Sequence, residues 1–208
     1  VAAAQIARRA DDSNIDCGIT IGTAWGCPFE GEVSSGQITG LVERVADMGP
    51  QEIALADTIG VASPADITAR VGAVRERWPE LPIRLHLHNT RNTGFANAWA
   101  GILSGVTAFD ASLGGVGGCP FAPRATGNVA TEDLAYMLHR AGIDTGWDVE
   151  RAAEAARWLE AQLGHEVPGM VMKAGSFPPA ALAWMTGNCF IGNLKNVFLG
   201  RSLNHVQW

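Results

Sequence analysis

Glu52-Ile-Ala-Leu-Ala-Asp-Thr-Ile-Gly-Val-Ala-Ser-Pro64 reads as a complete change of structure. Glu52 to Ala56 is a short apolar strand, Asp57 to Ala62 a loop, and Ser63-Pro64 the cap and first residue of a helix running to about Trp78. The same unit recurs on both sides. Upstream, a helix over Val1–Ala10 ends in the polar cluster Asp11–Asn14. Asp16–Gly22 then reads as a strand, Thr23–Gly31 as a glycine-bearing loop, and Ser34–Met48 as an amphipathic helix closed by Gly49-Pro50. Downstream come the strand Ile83–His88 with a helix over Thr93–Ser104, then the strand Val106–Ser112, the glycine loop Gly114–Asn128 and a helix over Ala130–Arg140. Trp147–Leu163 is a further helix. Strands alternating with helices pair in parallel through right-handed crossovers. Four such units in a row predict the C-terminal half of a (β/α)8 TIM barrel, with a doubly wound open sheet as the alternative that periodicity leaves open.

The 208 residues are 47% hydrophobic and 17% charged, with a net charge of −6. This is a globular composition with material for one sizeable core over residues 1–175. Residues 176–208 have few charges and no clean period, and are read as a divergent C-terminal extension. The acidic balance and the lack of any basic run speak against nucleic acid and anionic membranes as partners. No apolar run reaches the roughly 20 residues needed to span a bilayer. Cys17, Cys27, Cys119 and Cys189 contain no Cys-x-x-Cys pair, which favours a reducing, cytoplasmic location.

Residues suited to chemistry fall at or just after the strand ends. His86 and His88, two apart on a strand, leave it on the same face. Paired imidazoles there suit a divalent metal, with Asn128 able to add an oxygen; a hydrogen-bonded pair of core histidines is the other reading. Cys119 sits among Gly114, Gly115, Gly117 and Gly118, with Pro120 and Pro123 limiting the freedom those glycines give. It is either a buried small hydrophobe or an accessible general acid or base. Asp57 ends its strand, where it either orients a ligand or serves an ordinary turn. Arg91 and Arg124 are candidates to meet an anionic group. The glycines match neither the Walker nor the Rossmann pattern, so a nucleotide cofactor is disfavoured.

Taken together, Gly26-Cys-Pro-Phe-Glu-Gly31, Ala56-Asp-Thr-Ile-Gly60, Leu85-His-Leu-His-Asn89, Gly117-Gly-Cys-Pro-Phe121 and Thr126-Gly-Asn-Val-Ala-Thr-Glu-Asp133 resemble the 3-hydroxy-3-methylglutaryl-CoA lyase family. The resemblance covers about Ile15 to Gly175 and is most specific in the Gly-Gly-Cys-Pro loop. It implies a TIM barrel that splits hydroxymethylglutaryl-CoA, an acyl-CoA thioester, into acetyl-CoA and acetoacetate with a divalent Mg or Mn ion. It matches His86, His88 and Asn128 to metal ligands and Cys119 to a catalytic cysteine. His86 is also a candidate base or proton relay, and Asp57 and Arg124 are expected at the substrate. A homo-oligomer is expected at full length, in the cytoplasm or in the mitochondrial matrix of a eukaryote.

Two departures accompany the resemblance. The family's Arg-Asp pair at the first strand has no counterpart upstream of Ile15, so the chain is expected to be a fragment, inactive until completed. Asn89 stands where other members often carry Asp. The alternatives are a lyase for a related acyl-CoA such as citramalyl-CoA, and a non-catalytic metal-binding barrel fragment.

Overall fold

A computed structural model describes residues 2–118 and 127–177. Helix α1 (Ala2–Asp12) leads to strand β1 (Gly18–Ile21), a small hairpin of β2 (Gly26–Cys27) and β3 (Gly31–Glu32), helix α2 (Ser35–Ala46), strand β4 (Glu52–Asp57) and helix α3 (Pro64–Arg77). Strand β5 (Ile83–Leu87), helix α4 (Gly94–Leu103), strand β6 (Ala108–Asp110), a 3-10 turn (Leu113–Gly115) and helices α5 (Thr131–Arg140), α6 (Val149–Leu163) and α7 (Val171–Ala174) follow. Among the described residues no helix is long and apolar enough to cross a membrane.

The helix starts follow from local chemistry. Ser34 and Ser63 each accept the amide three residues on, from Gln37 and Asp66, whose side chains return to the capping serine. Each such box supplies acceptors for first-turn donors that the helix itself leaves unpaired. Pro64, whose missing N–H costs nothing at the first helical position, sets the entry to α3. Gly164 closes α6 in the left-handed region, at φ 69°.

β1, β4, β5 and β6 form one parallel sheet in chain order. A doubly wound sheet reverses its order and covers both faces with helices. Here the order never reverses, and Ile53, Leu55, Ile83, Leu85 and Leu87 turn to one side, into a single buried cluster with Ile38 and Val42 of α2, Ile67 and Val71 of α3 and Leu134 of α5. This one-sided winding is that of a (β/α)8 barrel. Each of those buried aliphatic side chains contributes about 1.5–3 kcal/mol. The opposite face carries Thr20, Ala54, Arg84 and Ala108 in one layer and Ala56, His86 and Asp110 in the next.

Three local expectations change. The loop after β1 contains the β2–β3 hairpin. The strand expected over Val106–Ser112 contracts to Ala108–Asp110, because the Val106 amide bonds Gly101 at the end of α4 and Ser112 has left to pair with Ala130. Helix α6 begins two residues later than Trp147, where Asp148 accepts the Arg151 amide. Cys119, Arg124 and the segment from residue 178 onward lie outside the described residues.

Candidate functional site

Alternation along β5 sends Leu85 and Leu87 into the core and His86 to the opposite face, one position above Arg84. His88 continues that face just past the strand. The two Nε2 atoms face each other at 3.2 Å, with the rings tilted by 55°. Burial, and secondarily the neighbouring His86, hold His88 below the ordinary histidine range, so it is a neutral imidazole at physiological pH.

Asn128 reaches the same strand end from the far side of the glycine loop. The Val129 amide bonds the Leu87 carbonyl, the Asn89 amide bonds the Gly127 carbonyl, and His88 and Asn128 form a β-bridge. The Asn128 amide nitrogen donates to the Val116 carbonyl at 2.9 Å, and its Oδ1 is buried with no partner. An acceptor left so costs about 1–3 kcal/mol unless something satisfies it.

These groups fit a divalent cation. Two nitrogen ligands at right angles, each about 2.1 Å from an ion, stand about 3 Å apart, close to the separation of the two Nε2 atoms. The orphaned Asn128 oxygen, on the residue bridged to His88, is a free third donor atom. Among the described residues no cluster of three or more His, Cys, Asp or Glu side chains is gathered for a metal; what this strand end offers is two imidazoles and an amide.

The base of the glycine loop is built to a fixed shape. Gly114 and Gly115 have φ of 67° and 70°, and a Cβ on Gly114 would meet Val167 Cγ2 at 2.7 Å. Buried Glu132 accepts the Gly114 amide, and Asp133 accepts the amides of Met170 and Val171 at the start of α7. The sequence Thr-Glu-Asp after Asn128 thus ties the loop to the segment before α7.

Asp57 pairs in register with Leu87 and shares the parity of Ile53 and Leu55, on the face opposite His86. Its oxygens accept the amides of Val61 and Ala62 at 2.9 and 3.0 Å. Burial raises its pKa, and those amides together with Arg91 offset part of the rise. Asp57 therefore shapes its own loop, as the turn reading of the sequence has it. The loop in turn abuts the site, since a Cβ on Gly60 would stand 3.0 Å from the His88 carbonyl. Arg91 is likewise engaged, donating to the carbonyls of Ile59 and Gly60.

Beside the histidines lies a group that motif reading passed over. Asp110 Oδ2 is 3.3 Å from His86 Nδ1, Asp110 Oδ1 accepts from Arg84 at 3.1 Å, and Arg84 forms a two-pronged pair with Glu52 at 2.9 and 3.1 Å. Hydrogen bonding to Glu52, despite some desolvation, raises the Arg84 pKa. The signal for these residues was alternation: Arg84 shares the parity of His86, and Asp110 faces it from the next strand.

Comparison with known proteins gives the family. A family model described as HMGL-like matches residues 1–159. The chain is 47% identical to (R)-citramalyl-CoA lyase of Chloroflexus aurantiacus, over 80% of this chain and 52% of that protein. It is 40% identical to hydroxymethylglutaryl-CoA lyase of Bacillus subtilis, over 79% of this chain and 55% of that one. A solved structure of an HMG-CoA lyase from Acinetobacter baumannii, in complex with coenzyme A and 3-methylmalate, superposes with a TM-score of 0.79 at 40% identity, covering 84% of this chain and 57% of that one. The chain thus spans about half the length of the curated relatives it matches. It belongs to the HMGL-like family and carries about half of that family's TIM-barrel fold.

Proposed function

We propose that the protein containing this chain is a carbon–carbon lyase for a CoA thioester bearing a tertiary 3-hydroxyl group and a terminal carboxylate. Hydroxymethylglutaryl-CoA is the first reading. The 47% identity to a citramalyl-CoA lyase supports a second, whose substrate is one methylene shorter. The observation that carries the proposal is the facing of the His86 and His88 Nε2 atoms at the C-terminal end of a barrel sheet, where Asn128, whose Oδ1 is unpartnered, is bridged to His88.

His86, His88 and Asn128 would hold a divalent ion, Mg or Mn, which when bound lowers the cost of negative charge on the substrate hydroxyl. Two imidazoles among the donors suit Mn better than Mg. With Nδ1 on Asp110 and Nε2 turned to His88, His86 serves as a ligand and has no nitrogen left to act as a base. The hydroxyl proton passes to solvent water or to a base from the part of the barrel beyond this chain, and the C2–C3 bond breaks with its electron pair left on C2 as a thioester enolate and C3 left as a ketone. Cys119, read from the sequence as the proton donor, then protonates C2 to give acetyl-CoA. Arg124, in the same segment, is proposed to meet the substrate's anionic groups.

The test is to incubate the full-length protein with each thioester and Mg or Mn, measuring acetyl-CoA together with acetoacetate or pyruvate. One methylene in a pocket separates substrates by roughly 10–200-fold in kcat/KM, which is enough to rank the two. Cleavage of neither would end the lyase reading. Cys119→Ala should abolish turnover while leaving metal binding nearly intact, and equal loss of both would remove its assigned role.

A further inference from the structure

We propose that Arg84 and Asp110 are positioning residues that fix the proton of His86 on Nδ1 and so keep its Nε2 lone pair turned toward His88. The inference rests on the metal reading of the two histidines and names what holds one of them ready.

The register makes the arrangement specific. His86 pairs with Asp110 across the β5–β6 ladder, and Arg84 lies one inward position below His86, beside Ala108. Arg84 therefore reaches Asp110 diagonally. Its Nε and Nη2 both bond Glu52, which restrains the guanidinium, and Nη1 is the arm that holds Asp110 Oδ1. A planar, five-donor fork suits this double engagement as an ammonium group would not. Asp110 Oδ2 is then left facing His86 Nδ1.

An ionised carboxylate only accepts, so a hydrogen bond between it and the ring is given by an Nδ1–H. The proton of a neutral His86 thus sits on Nδ1. A free neutral imidazole in water prefers its proton on Nε2, the atom that a metal ligand needs bare. Histidine ligands elsewhere are held in the required tautomer by this kind of carboxylate contact, and removing it weakens metal binding roughly 10–100-fold. Here the carboxylate is itself held by a clamped arginine, which links Glu52 on β4 to the site through β5 and β6.

Two measurements on the full-length protein test this. The first is the 15N NMR tautomer pattern of His86 in the metal-free protein, assigned with His86→Gln; the expected result is Nδ1–H. The second is Mn2+ affinity by calorimetry for Asp110→Asn and Arg84→Met. Asn can turn an N–H toward His86 and force the wrong tautomer, so affinity should fall roughly 10–100-fold, with a smaller loss for Arg84→Met. A proton on Nε2 in the parent, or unchanged Mn2+ affinity in a folded Asp110→Asn variant, would overturn the proposal. If Asp110→Asn does not fold, the parent tautomer and Arg84→Met decide. A parent protein that binds no Mn2+ yet shows Nδ1–H would end the metal reading and leave the positioning of His86 by Asp110 standing.

Discussion

Glu132, buried, receives the backbone N–H of Gly114 on both carboxylate oxygens, at 3.2 and 3.0 Å. A charge so placed is stranded from water, and desolvation outweighs the amide's help, raising the pKa above its ordinary value of 4.5. The folded chain therefore holds this proton to higher pH than the unfolded chain does. The group's contribution to stability is complete below 4.5 and is lost as pH rises through the folded value.

Glu132→Gln removes that titration. Its melting temperature relative to the parent should move in the variant's favour as pH rises from below 4.5 toward neutrality. A difference that is flat, or that runs the other way, contradicts the assignment. Glu132→Ala should instead cost about 1–3 kcal/mol, because the Gly114 amide is left without its acceptor.

The contact of α4 with the sheet gives a second test. Gly101 lies inside α4, where alanine would ordinarily gain up to about 1 kcal/mol. A Cβ there would stand 2.5 Å from Leu85 Cδ1 and 3.2 Å from Phe109 Cε1. Leu85 is fully buried and cannot yield freely. Overpacking of this kind costs about 1–3 kcal/mol, so the packing penalty wins. Gly101→Ala should lower the melting temperature by about 2–4 °C for each kcal/mol lost, and a rise would show that the helix can shift outward.

The strand–loop–helix order and the parallel sheet were legible because each signal is local: apolar runs of strand length, serine caps and Pro64. His86 and His88 were legible because their spacing alone puts them on one face. For Asp57 the sequence left a ligand role and a turn role open; parity, counted from Ile53, sends it to the face opposite His86, where it bonds its own loop. Asp110 and Arg84 could have been found by the same counting once the register between strands was known. That register depends on pairing between distant segments, which no local window contains.

Asp57 itself separates the two roles. Asp57→Asn keeps one carbonyl oxygen and replaces the other with a donor, so either the Val61 or the Ala62 amide loses its acceptor. The expected cost is about 1–3 kcal/mol, seen as a lower melting temperature, with a smaller loss of Mn2+ affinity than in Asp110→Asn. An unchanged melting temperature with a raised KM would restore direct substrate contact.

Asn128 links stability to the metal. Its Oδ1 has no partner among the described residues, so the metal-free protein carries the cost of a buried, unsatisfied acceptor. Mn2+ at about 100 times its dissociation constant should stabilise the protein by about 2.7 kcal/mol, raising the melting temperature by roughly 5–11 °C. A chelator should reverse the shift. In Asn128→Ala the third donor is gone, while the lost hydrogen bond to Val116 is offset by the removed cost of the orphaned oxygen, so Mn2+ at the same concentration should raise the midpoint less. If the parent and Asn128→Ala respond equally to Mn2+, the amide oxygen is not a ligand, and the two histidines must bind the ion with donors from elsewhere in the complete barrel.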